Sequence, residues 1–195
     1  MLSETIALLP LFSVILSAQL PMVELTGFQF GVGLKTATST NLLGDLTGKT
    51  PSVGMTTEVR YYFTNTFALR VKGAFDNWGN QHIKGTIDNR CTVRRLSSTI
   101  EVQTFIRRQR YSYNGTYLCF GVGSAQWNID STLAELANQK ITRPIFTFLF
   151  GGESRNGYLE FGMELTNMSE YKSIIDKNNS NGSFSNFLIA FGYKL

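Results

Sequence analysis

From position 23 onward, apolar and polar side chains alternate with a period of two in eight separate stretches, the signature of half-buried β-strands. The pattern predicts strands over Val23–Ala37, Val53–Phe63, Phe67–Asn77, Val93–Arg107, Gly115–Trp127, Thr142–Glu153, Gly157–Thr166 and Phe184–Leu195. Each is long enough to cross a hydrocarbon layer at a tilt, which takes about nine to eleven residues. No apolar run is long enough for a transmembrane helix, and no sustained helical period interrupts the alternation.

The connections alternate in length. Thr38–Ser52, Trp78–Thr92, Asn128–Ile141 and Asn167–Ser183 are long and polar, whereas Thr64–Thr66 and Ser154–Asn156 are tight turns and Arg108–Asn114 is intermediate. In an up-and-down barrel this order gathers the long loops at one end and the turns, with both termini, at the other, as in bacterial outer-membrane barrels. The expected fold is therefore all-β: a single closed, antiparallel, up-and-down transmembrane barrel of about eight strands, spanning residues 23–195.

Alternation by itself does not say which face is inside, because a soluble barrel and a membrane barrel both bury one face. One parity collects Phe28, Phe30, Val59, Val71, Ile100, Val122, Phe146, Phe148, Phe161, Ile189, Phe191 and other large apolar residues. The opposite parity holds the charges, and with them Gly31, Gly33, Gly121, Gly123, Gly151, Gly162 and Gly192. A face turned to open water has no need of small residues, whereas an eight-strand barrel has an interior barely wide enough for side chains. The charged, glycine-rich face is thus expected inside and the apolar face toward lipid. Inside, Glu58, Glu101, Glu160 and Glu164 should pair with Arg60, Arg70, Lys72 and Arg95, since an unpaired buried charge costs several kcal/mol. This network reads either as a salt-bridged plug or as a narrow polar pathway. Trp78, Trp127, Tyr62, Tyr117, Tyr158 and Tyr193 fall near strand ends and are expected to form aromatic girdles at the two membrane interfaces.

The N-terminus carries the apolar run Ile6–Leu16 followed by Ser17-Ala18-Gln19, which has signal-peptide length but lacks the usual preceding Lys or Arg. Residues 1–19 are read as a signal segment. The formal charge of +4 comes from basic residues scattered through the strands rather than gathered in one tract, which argues against nucleic acid as a partner. Cys91 and Cys119 lie out of register and are expected to remain separate thiols.

With these features in place, residues 23–195 resemble the small outer-membrane barrel proteins of the OmpA, OmpX and OmpW type. The most specific piece is the ending Phe187–Leu195 (FLIAFGYKL), whose alternating aromatics resemble the terminal strand signal of that family; Leu195 stands where the family usually has Phe or Trp. The resemblance implies residence in the bacterial outer membrane of a Gram-negative cell envelope, with lipids and lipopolysaccharide around the barrel and the barrel assembly machinery as a partner.

Chemistry is sparse. The sole histidine, His82, lies in a predicted loop with no nucleophile signature beside it, and no cofactor or metal motif is present. The chain is read as a non-enzyme. Its expected role is structural or surface-interacting, with long loops extracellular and an extracellular ligand unassigned. A narrow porin-like channel or small-molecule carrier, a soluble lipocalin-like binding barrel with the Phe-rich face inward, and a lipid-modifying enzyme are the alternatives. Two basic groups, Lys84, Arg90, Arg94 and Arg95 at the loop end and Arg107, Arg108 and Arg110 at a turn, are candidates for lipopolysaccharide phosphates and inner-leaflet headgroups respectively.

Overall fold

The structure, a computed structural model, describes residues 27–83, 89–108, 114–132, 138–167 and 183–195. The signal segment 1–19 lies outside these residues. The described chain forms β1 (Gly27–Thr40), a short helix α1 (Asn41–Leu46), β2 (Ser52–Tyr62), β3 (Phe67–His82), β4 (Arg90–Arg108), β5 (Gly115–Ser131), β6 (Gln139–Glu153), β7 (Gly157–Asn167) and β8 (Ser183–Lys194). Every strand pairs antiparallel with its sequence neighbours, and β1 pairs with both β2 and β8, closing a barrel in chain order. Closure leaves no strand edge along the paired region, so backbone groups there are satisfied without water.

Five strands run three or more residues further toward the loop end than the alternation predicts, among them β1, which reaches Thr40. β3 reaches His82, β4 starts at Arg90, β5 reaches Ser131 and β6 starts at Gln139, so much of two expected loops is strand. Here the inward residues Cys91, Val93, Ile129 and Ile141 stay apolar and buried while the outward ones, Asn80, Arg94, Asn128 and Asp130, are polar and exposed. Polar outward positions look like loop in the sequence. They are what a strand carries where it has left hydrocarbon and entered water.

Two irregularities adjust the register. A bulge between Asn77 and Asn80 contains Gly79 at φ 68°, and a second lies between Phe105 and Arg107. Gly79 supplies the left-handed conformation that the first bulge requires, and Trp78 beside it points inward, 2% exposed. In the first long connection, α1 brings Leu46 into the buried apolar cluster that also holds Ile83, Cys91, Val93, Ile129 and Ile141.

Candidate functional site

The barrel interior is layered. Along β4 from the turn end, the inward residues are Phe105, Gln103, Glu101, Thr99, Ser97, Arg95, Val93 and Cys91, and neighbouring strands supply matching layers. At the turn end Phe105 packs between Tyr62 and Tyr117, with ring centroids 6.2 and 5.5 Å away.

Above this aromatic layer lies a first ion cluster of four cations and four carboxylates. Arg70 donates from Nε to Glu101 at 2.7 Å and from Nη1 to Glu58 at 3.1 Å, and it also contacts Glu160. Arg60 meets Glu58 at 2.5 Å and donates to Glu153 at 2.7 Å, Lys72 donates to Glu160 at 2.9 Å, and Lys194 lies 3.3 Å from Glu153. Tyrosine hydroxyls complete the carboxylate shells: Tyr117 donates to Glu160 at 2.7 Å and Tyr62 to Glu153 at 3.0 Å. Cys119 joins the same cluster, donating to Glu101 at 3.3 Å and accepting from Arg70 at 3.4 Å.

A second cluster, two cations and two carboxylates, sits nearer the loop end. Lys35 donates to Glu164 at 2.7 Å and to Asp76 at 3.3 Å, and Arg95 reaches both carboxylates at 2.5 Å. Its guanidinium lies 5.6 Å from the ring centre of Trp78 and 5.0 Å from that of Trp127, and the two indoles stack at 5.7 Å. Each cluster has equal numbers of opposite charges, which limits the desolvation penalty of burying so many ions. The eight residues expected as a network, Glu58, Arg60, Arg70, Lys72, Arg95, Glu101, Glu160 and Glu164, all lie in the interior, but Arg95 and Glu164 belong to the second cluster, apart from the other six. Lys35, Asp76, Glu153 and Lys194 complete the pairing. All four share the charged parity, which is the signal that could have brought them into the network.

Small residues make room for this filling. A Cβ on Gly151 would lie 2.6 Å from the Tyr117 ring, and one on Gly192 would collide with the Tyr158 ring. Tyr158 in turn packs 4.7 Å from the Arg60 guanidinium and shares a 3.1 Å hydrogen bond with Thr56.

The expected aromatic girdles need correction. Trp78, Trp127, Tyr62, Tyr117 and Tyr158 are buried in the lumen, with Trp127 fully enclosed, and only Tyr193 of the six faces outward, at 54% exposure. The physical reason is parity. Trp78 shares its face with Asp76, Tyr62 with Arg60, Tyr117 with Cys119 and Tyr158 with Glu160, so the alternation already pointed these rings inward, whatever their position near strand ends. Arg95, expected among the loop-end cations, is likewise in the lumen, while Arg90 and Arg94 are exposed. Lys84 and Arg110, and the side chains of Arg107 and Arg108, lie outside the described residues. His82 is exposed at the end of β3. Among the described residues no group of His, Cys, Asp and Glu is arranged to hold a metal ion, and both cysteines are free and buried.

The outer wall is the reverse of the lumen. Phe28 is 72% exposed, and Phe30, Met55, Val71, Ile100, Phe120, Phe146, Phe148, Phe161, Ile189 and Phe191 also face outward, forming a belt around the barrel. The arrangement with the Phe-rich face inward, which a lipocalin-like barrel would need, is thereby overturned. An apolar belt of this extent is far larger than the patches soluble monomers expose and suits hydrocarbon as solvent.

No family model matches the chain, and no curated protein sequence matches it. Solved structures do match its fold. Neisserial surface protein A (NspA) superposes with a TM-score of 0.53 at 15% identity, covering 87% of this chain and 97% of that one. Ail, the attachment invasion locus protein of Yersinia pestis, gives 0.50 at 12% identity over 90% of this chain and all of that one (100%). The outer membrane protein OprG from Pseudomonas aeruginosa gives 0.50 at 14% identity over 91% and 99%. With its outward apolar belt and its ion-filled interior, the chain has the fold of the small eight-strand outer-membrane β-barrels.

Proposed function

We propose that the chain is an integral barrel of the bacterial outer membrane, closed in its lumen, whose role is structural support and contact with the exterior through its loop end. The observation that carries this reading is the pairing of an outward belt of large apolar side chains with two charge-balanced clusters enclosed in the lumen. A soluble protein with this surface would aggregate, whereas a membrane strand requires lipid-facing and lumen-facing residues to alternate as they do here. The fold neighbours support the interaction role in their own names: one is a surface protein and another an attachment invasion locus protein. Enzymatic action is disfavoured because the one histidine is exposed at a strand end, away from the buried polar clusters. β8, with Phe187, Ile189, Phe191 and Tyr193 outward, is the segment that the barrel assembly machinery would read.

Refolding the chain from position 23 into detergent micelles tests the reading. A compact band in SDS that shifts on boiling and forms only with detergent is the expected result. A soluble, folded monomer in plain buffer would overturn it.

A further inference from the structure

In the loop-end ion cluster the acceptors are all engaged and the donors are not. Asp76 accepts from Lys35 and Arg95 on Oδ2 and from Ser52 on Oδ1, and Glu164 accepts from Lys35 on Oε1 and from Arg95 on Oε2. Every carboxylate oxygen of this cluster therefore has a donor. Two donors beside them have no acceptor among the described residues: Nη1 of Arg95 and Nε1 of Trp78, on side chains 0% and 2% exposed. They belong to adjacent groups, since the Arg95 guanidinium carbon lies 5.6 Å from the Trp78 ring centre. Buried donors are rarely left without an acceptor, and two such donors side by side mark a place that is short of one. The walls around them are apolar. Arg95 is paired in register with Trp127 and Trp127 with Ile141, and the next inward pair toward the loop end is Val93 with Ile129. Leu46 of α1, fully buried, joins the same apolar cluster.

We propose that Arg95 Nη1 and Trp78 Nε1 hold a small, weakly hydrated monovalent anion of the halide class inside the loop-end half of the lumen. The site goes beyond the structural role above and depends only on the closed interior of the barrel. A water molecule there would bring two O–H donors of its own to a cluster whose carboxylate oxygens are already taken, whereas a halide accepts and donates nothing. A guanidinium is weakly hydrated compared with an ammonium, and the indole and aliphatic walls offer nothing to replace a strong hydration shell. The site therefore selects ions that shed water readily and rejects a doubly charged oxyanion such as sulfate. Lys35 and Arg95 supply the positive field, and the indole N–H supplies a second, neutral donor. Entry is from the loop end, through the apolar layer of Val93, Ile129 and Leu46, because the other side of the site is filled by the larger ion cluster.

The chain's two tryptophans, Trp78 and Trp127, both buried in the lumen, are the reporters for the test. Protein refolded in uncharged detergent micelles, and shown to give the heat-modifiable band, is titrated with iodide at an ionic strength held constant with sulfate, and separately with acrylamide as an uncharged quencher. Wild type and Arg155→Gln, which removes a cation at the exposed turn end, should show saturable fluorescence quenching by iodide that chloride relieves, and only weak quenching by acrylamide. Trp78→Phe keeps an aromatic ring but removes Nε1. Its remaining reporter, Trp127, has its ring centre 5.0 Å from the Arg95 guanidinium carbon, and saturation should then need about tenfold more iodide. Unsaturable quenching in wild type, quenching that chloride does not relieve, or unchanged saturation in folded Trp78→Phe overturns the site. If Trp78→Phe gives no band, chloride competition in wild type decides. A wild-type chain that folds as a soluble monomer in plain buffer overturns the membrane reading, and the same iodide titration of that monomer then decides the site separately.

Discussion

Arg70 occupies the centre of the first ion cluster, in contact with Glu58, Glu101 and Glu160 from three other strands and fully buried. Its planar guanidinium can donate in several directions at once, which a lysine cannot reproduce. Arg70→Met keeps an unbranched stem that reaches about as far as the arginine Nε but removes the common partner of three carboxylates. Breaking a buried ionic network from one side costs about 3–5 kcal/mol, and denaturant unfolding in micelles should show a loss of that size. A loss below about 1 kcal/mol, the level of an exposed pair, would mean that water reaches these carboxylates and that the lumen is more open than its packing indicates. Trp78 and Trp127 make a related point. An indole near a strand end suggests a membrane interface, yet here both stack on each other beside Arg95 in the interior, where cation–π contact adds to the second cluster's pairing.

At the scale of the strand, β6 displays the division of labour clearly. Its outward residues Thr142, Pro144, Phe146, Phe148 and Phe150 pass from polar to apolar toward the turn end, while Ile145, Thr147, Leu149 and Glu153 fill the lumen. Pro144 is paired with Ser124 on β5 but has no register partner on its β7 side, where the described pairing ends at Phe146, so it sits at an edge of the ladder, the kind of place where proline is tolerated. The depth profile is testable on this one strand. Phe148→Arg, within the apolar belt, should destabilise the folded barrel by about 2–4 kcal/mol, and Thr142→Arg, near the rim, by about 0–1 kcal/mol, measured as reversible unfolding in lipid vesicles. Equal costs at the two positions would contradict the belt. The extension of β3 to β6 beyond the predicted ends belongs to the same scale. Composition marks the extension as loop, but continued alternation of Cys91, Ile129 and Ile141 with polar neighbours marks it as strand, and the buried cluster with Leu46 shows which signal prevails.

For the whole molecule, closure of eight strands sets an interior that side chains can fill, and here aromatic, ionic, indole and aliphatic layers occupy it in turn. The expected behaviour in a planar bilayer at neutral pH is therefore the absence of steady, reproducible unit openings in a well-folded sample. A stable unit conductance would move the chain to the channel reading. Such a conductance would also locate the path, since both charge clusters lie on the barrel's interior face.

The eight-strand count, the short turns and the assignment of each residue to one of two faces were determined by the sequence itself, because a period of two is a local property that survives any arrangement of strands. The choice of the charged face as the interior was also legible, since glycine is placed where space is short, as Gly151 and Gly192 under tyrosine rings show. Tertiary structure alone decided which charges meet. Arg70 and Glu160 are 90 residues apart in the chain, and their contact across the lumen depends on the register of the intervening strands and on closure by β1 against β8. It also decided the division of the lumen into two neutral clusters. Those relations follow from the tilt and closure of the barrel, and alternation along a single strand carries no information about its neighbour's register.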